Sequence, residues 1–168
     1  YSAANQDYQR GIVIGSTTTG KGTAQVQLDT LAYGQATLTQ RKFYRITGGS
    51  TQNKGVIPDI KLVDIYNEEF GERKAKNALK WDTIATAPFK REGVVQSYVP
   101  QLAKSSQTRV SIDPQFKYLT ERKNIAKQAE ERKTAVLDLD QRRAELIELE
   151  RKTLAAENMR RQATGLAP

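Results

Sequence analysis

Between Pro114 and Gly165 the chain contains neither glycine nor proline. One helix over that run would be about 75 Å long at 1.5 Å per residue, far beyond the usual three or four turns. The run must break, and residues 134–140, TAVLDLD, are where it can. Val136, Leu137 and Leu139 tolerate extended backbone, and Asp140 has a side chain suited to cap a fresh helix over residues 141–163. The preceding helix has a clear start signal: Asp113 followed by Pro114, an acidic cap before a proline at the first helical position. The second helix carries Leu146, Leu149 and Leu154 in a charged background. A sustained heptad seam would need apolar residues where Arg132, Arg143 and Glu150 stand, so an amphipathic pair packed on a neighbouring domain is expected rather than a long coiled coil. Apolar faces left exposed there would mark contacts with the rest of a longer protein.

The first 65 residues follow a different pattern. Residues 2–9 are compatible with a helix end, stopped at Arg10-Gly11. Residues 12–15 have the apolar run of a buried strand, and residues 23–29 and 36–46 alternate or carry β-formers around a turn near Ala32-Tyr33-Gly34. Residues 47–60 read as loop, with turn chemistry at Gly48-Gly49-Ser50 and Asn53-Lys54-Gly55, and Pro58 against a regular ladder. Residues 66–100 read as short helical pieces broken at Gly71, Pro88, Gly93 and Pro100. Asp82 is placed to cap one of them after Trp81, and another helix starts at 100–104. The fold class is α+β: N-terminal strands over 1–65, then a mainly helical domain over 66–168.

The chain has 168 residues, enough for one domain or one and a half. It begins with Tyr1, which is expected of a piece of a longer protein. No apolar run is long enough to cross a membrane. Cysteine is absent, which removes disulfide and thiolate chemistry. Histidine is absent too, so the chain cannot supply the base of a Ser-His-Asp triad or the commonest zinc ligand. No cofactor or metal is expected. The net charge of +8 is uneven, about +1 over residues 1–70 and +7 over 71–168. Acids are interspersed with the bases, as in ERKNIAKQAEERK, and few aromatics lie among them. That is the pattern of a solvated helix surface, and nucleic acid is not expected as a partner.

The stretch GIVIGSTTTGKGT, residues 11–23, comes close to a phosphate-binding loop, since Gly15, Gly20 and Lys21 fit G-x-x-x-x-G-K. Gly22 stands where a hydroxyl should hold magnesium. The chain continues TAQVQLDT, whose period of two is that of a strand, whereas a phosphate loop must open a helix. Two readings of Lys21 remain from the residues alone: a solvated lysine in a strand–loop–strand, or a lysine with a chemical task.

Four stretches carry a resemblance: QDYQRGIVIGSTTTGKGTAQ, QRKFYRITGGSTQNKGVIPDI, KNALKWDTI and PQLAKSSQTRVSIDPQFKYL. Together they resemble the tail-specific, or C-terminal processing, serine proteases, and the later segments are similar to the helical C-terminal domain of the larger periplasmic members. The resemblance covers essentially the whole chain. It implies that residues 1–65 are the C-terminal part of a serine protease core and 66–168 a helical accessory domain.

What the resemblance implies chemically is a Ser-Lys dyad endopeptidase. The family's serine falls upstream of Tyr1, and Ser2 lies too close to Lys21 to match it, so this piece alone is expected to be inactive. Lys21 matches the general base, which must be held neutral to accept a proton; burial is the usual means, with Gly20 and Gly22 allowing close backbone packing. Gln25 matches the glutamine that orients this lysine, on the same strand face as Lys21 and Thr23 if residues 21–25 alternate. Asp7 matches an aspartate near the active site, with a structural job favoured, because a carboxylate beside Lys21 would hold it charged. Phe43, Tyr44 and the loop at Gly48-Gly49 would shape a substrate groove, and Trp81 would anchor the domains. The implied partners are proteins or peptides with nonpolar C-termini and the upstream PDZ and protease segments, and a homodimer could form through the helices. The implied location is the periplasm or cell envelope of a Gram-negative bacterium. The alternative is a helical binding or scaffold module without a catalytic role.

Overall fold

The computed structural model describes residues 1–28, 33–65 and 71–167. The fold is α+β, with short N-terminal strands and a mainly helical C-terminal region. It divides into two compact units: Tyr1–Leu62 with Glu68–Leu102, and Val63–Asn67 with Ala103–Pro168. Among the described residues, no helix is long and apolar enough to cross a membrane.

The first unit opens with α1, Ser2–Asp7. Strand β1, Ile14–Gly15, is shorter than the apolar run suggests and pairs in parallel with β4, Ile60–Lys61. The loop expected through Ile60 is therefore corrected at its end. Pro58 blocks a longer ladder, but Asp59 N and Ile60 N both donate to Val13 O, at 2.8 and 3.2 Å. Ile60 is buried, with Val56, in the apolar core of this unit. Strand β2, Thr23–Leu28, pairs antiparallel with β3, Ala36–Lys42, and the register slips between Ala24 and Gln25. Residues 29–32, including part of the expected turn, lie outside the described residues. Strand β3 stops at Lys42, short of the expected 46. Beyond it Phe43 N still donates to Gly22 O at 2.7 Å, and Tyr44 bridges to Ser50 across a tight reversal.

The helical pieces expected over 66–100 are mostly replaced by extended chain, though residues 66–70 lie outside the described ones. Among the described residues of that stretch, only the 3-10 turns Glu72–Lys74 and Val95–Tyr98 are helical before the helix that begins at Val99. The reason is non-local. Ser50 N donates to Asp82 O at 3.1 Å, Ile84 N to Gly48 O at 2.9 Å and Ala87 N to Ile46 O at 3.1 Å. The 45–50 reversal thus uses the backbone groups that a helix would need for itself. Trp81 Nε1 donates to Ser50 O at 2.9 Å and Lys54 Nζ lies 3.2 Å from the ring centroid. These partners lie in the first unit, and Trp81 pins the extended segment to the loop. Asp82 does not cap a helix. It takes an ion pair from Lys42 at 2.8 Å and a hydrogen bond from Tyr44 Oη at 3.1 Å.

Helix α2 spans Val99–Ile112, α3 Pro114–Glu130 and α4 Leu139–Ala163. The Asp113 carboxylate accepts from Gln115 N at 2.7 Å, with Pro114 in the first turn. The break falls as expected after α3, but the cap of α4 is Asp138, which accepts from Gln141 N at 2.8 Å, rather than Asp140. Asp140 sits in the first turn instead and faces Arg143. Helices α3 and α4 pack antiparallel: Arg160 reaches Gln115 and the Tyr118 ring, while Arg132 pairs with Glu145 at 3.0 Å. Ile125 and Ala156 are buried between surfaces that are otherwise charged.

Replacing Asp113 by Ala is expected to cost about 1 kcal/mol, the usual worth of such a cap, read as a lower denaturation midpoint. Asp82 titrates below the ordinary carboxyl value, chiefly because the Lys42 ammonium hydrogen-bonds it, with Tyr44 assisting. A lowered folded-state pKa adds stability above the unfolded value and loses it as pH falls through the folded one. Stability curves of the wild type and Asp82→Asn should therefore differ near neutrality and converge in acid.

Candidate active site

Lys21 sits at the end of a loop that folds onto two others. Thr18 N donates to Val56 O at 3.2 Å, and Val56 N returns a bond to Thr18 Oγ1 at 2.8 Å. Asn53 N donates to Gly20 O at 2.8 Å. A Cβ at Gly20, whose φ is +81°, would stand 2.8 Å from Asn53 O. One at Gly22 would collide with the backbone nitrogen of Gln52. The two glycines around Lys21 are therefore required by close backbone approach, and both are buried.

Gln52 fills the space they leave. It has no exposed surface. Its Oε1 accepts from Gly22 N at 2.8 Å, and its Nε2 donates to Glu72 Oε1 at 3.0 Å. Its own N–H donates to Ser50 Oγ at 3.0 Å. Glu72 N in turn donates to Thr19 O at 2.8 Å. Neither Gln52 nor Glu72 is singled out by the sequence. A glutamine between turn signals reads as solvated, and the one available hint is that the GKG spacing demands a close backbone neighbour.

Lys21 and Gln25 are brought together directly: Lys21 Nζ donates to Gln25 Oε1 at 2.7 Å. Gln25 Nε2 donates to Thr39 Oγ1, at 3.2 Å, on the paired strand. The Thr39 hydroxyl can donate or accept, so it suits the amide in this orientation, with the carbonyl end towards Lys21. The expected common face is modified. Lys21 precedes β2, Thr23 is buried, and Lys21 and Gln25 are exposed. The described residues hold Lys21 in place without enclosing it, and the burial expected from Gly20 and Gly22 is not supplied by them.

Asp7 is occupied elsewhere. Arg45 grips its carboxylate with two bonds, Nη2 to Oδ1 at 2.6 Å and Nε to Oδ2 at 3.0 Å, and the Asp7 side chain is only 7% exposed. Arg45 Nη2 also reaches Gln6 Oε1. The pair ties α1 to the chain after β3, and Asp7, Phe43, Tyr44 and Arg45 line an open cavity of about 430 Å³. The arrangement can therefore present one amine, oriented by an amide, on a loop fixed from behind by glycines and a buried glutamine.

Residues 1–62 match Peptidase family S41, and residues 65–168 match the C-terminal domain of tail specific protease. The chain belongs to the tail-specific protease family. A curated relative, the tail-specific protease of Haemophilus influenzae, is 39% identical over 144 residues, which are 79% of this chain and 21% of that protein. The chain thus spans about a fifth of the relative's length.

Replacing Arg45 by Ala would leave a largely buried carboxylate without its cation. That is expected to cost about 3 kcal/mol of stability, measured by chemical denaturation.

Proposed function

We propose that this chain is the C-terminal portion of a tail-specific serine endopeptidase working by a Ser-Lys dyad. In this reading Lys21 is the general base and Gln25 its orienting partner. The serine comes from a part of the protein outside these residues, so the chain by itself does not hydrolyse peptides. The serine attacks the substrate carbonyl, neutral Lys21 takes its proton, backbone N–H groups stabilise the oxyanion, and water resolves the acyl-enzyme.

The observation that supports this is the 2.7 Å bond from Lys21 Nζ to Gln25 Oε1. A neutral amine has one lone pair, and a fixed acceptor for one of its N–H groups turns that pair in a defined direction. An amide does this without the charge by which a carboxylate would hold the lysine protonated. Asp7, turned into its Arg45 pair, acts structurally. Since Lys21 is exposed here, desolvation comes with the segment that brings the serine. Substrates are proteins with nonpolar C-termini, captured by an upstream PDZ module, in the periplasm of a Gram-negative bacterium.

In the full-length protein, Lys21→Ala should lower kcat/KM for a peptide substrate by about a thousandfold or more with the fold intact. Undiminished cleavage by Lys21→Ala would remove the lysine from the chemistry.

A further inference from the structure

The Lys21 loop is held by a group from a stretch that the peptidase family match does not include. That match ends at residue 62, and Glu72 falls within the C-terminal domain match, which begins at 65. Glu72 nevertheless belongs to the same compact unit as Lys21. It is attached to the Lys21 loop twice. Its backbone N–H donates to Thr19 O at 2.8 Å, and its carboxylate accepts from Gln52 Nε2 at 3.0 Å. Gln52 passes the connection on, since its Oε1 accepts from Gly22 N at 2.8 Å, the residue directly after Lys21.

Each group in this chain of bonds has one workable orientation. Gly22 N–H can only donate, so it fixes Oε1 of Gln52 towards the loop. The Glu72 carboxylate can only accept, so it fixes Nε2 the other way. A fully buried amide held at both ends cannot flip, and it leaves Gly22 one position. We infer that Gln52 and Glu72 are positioning residues for the general base: Glu72, from the stretch beyond the peptidase family match, sets the loop geometry that aims Lys21. This rests on the dyad reading given above. Neither residue touches the reacting atoms, and their effect passes through the backbone at Gly22 and Thr19.

The test uses the full-length protein and a fluorogenic peptide ending in a nonpolar residue, with melting curves to count folded molecules. Glu72→Ala and Gln52→Ala should each lower kcat at least about tenfold with KM changed less than about twofold, as expected when a catalytic group is displaced but the substrate site is not. Glu72→Gln keeps an acceptor for Gln52 Nε2 and should recover most of the kcat lost in Glu72→Ala. The double alanine variant should be no worse than the worse single, since both cut one connection. The inference is overturned if Glu72→Ala keeps wild-type kcat per folded molecule, or if Glu72→Gln is as impaired as Glu72→Ala. Gln52→Ala empties a buried site, so if it fails to fold the two Glu72 variants decide alone. Lys21→Ala separates the two levels. Full activity in that variant sinks the dyad and this inference with it. An inactive Lys21→Ala beside a fully active Glu72→Ala sinks the positioning role only.

Discussion

A neutral amide with no surface in water must find partners for both its ends or cost several kcal/mol. Gln52 finds them in segments that are far apart in sequence, Gly22 before it and Glu72 after it. Its backbone finds another in Ser50. Ser50 also takes the Trp81 indole N–H on its carbonyl and donates its own N–H to Asp82. The first unit has few buried apolar side chains among the described residues, Val56 and Ile60 being the large ones. Its loops are instead held by directional bonds around a fully buried polar side chain, Gln52. Such a network specifies one geometry, because a shifted loop would strand a buried donor or acceptor.

What could be read from the sequence was whatever is decided locally. Asp113 and Pro114 act within one turn, and the structure has the helix start there. The period of two after Lys21 predicted β2 and argued against a phosphate loop. The resemblance paired Gln25 with Lys21, and the period of two put both on one strand face, whereas the contact runs from the end of a loop. Misses arise where a distant partner decides. The 75–94 stretch has the punctuation of short helices but is drawn out by the backbone of residues 46–50. Ile60 becomes a strand because Val13 and Gly15 are there to pair with it. Asp138 and Asp140 are chemically equal caps, and local rules could not choose between them; the choice depends on where the connection from α3 ends. Gln52 and Glu72 were invisible for the same reason, since nothing in their neighbourhoods announces that three segments meet.

The second unit shows a different balance. Helix α4 is charged nearly all round, and its ion pairs Glu148–Arg151 and Glu157–Arg160 run along its own surface. Pairs of that kind add little individually. What joins α3 to α4 is narrower: Ile125 and Ala156 buried, Tyr118 facing the Arg160 guanidinium, and Arg132 meeting Glu145 at the other end. Leu146, Ile147, Leu154 and Met159 stay exposed. The pairing of these helices therefore rests on a few small contacts spread along their length.

The Thr19–Glu72–Gln52–Gly22 linkage bears on how such proteins are recombined. Family boundaries invite a splice between residues 62 and 65, which would give a hybrid a carboxylate from one parent and an amide from the other. A junction after residue 102, where the compact units part, transfers both halves of the clasp together. Modules delimited by alignment and modules delimited by hydrogen bonding need not share a seam.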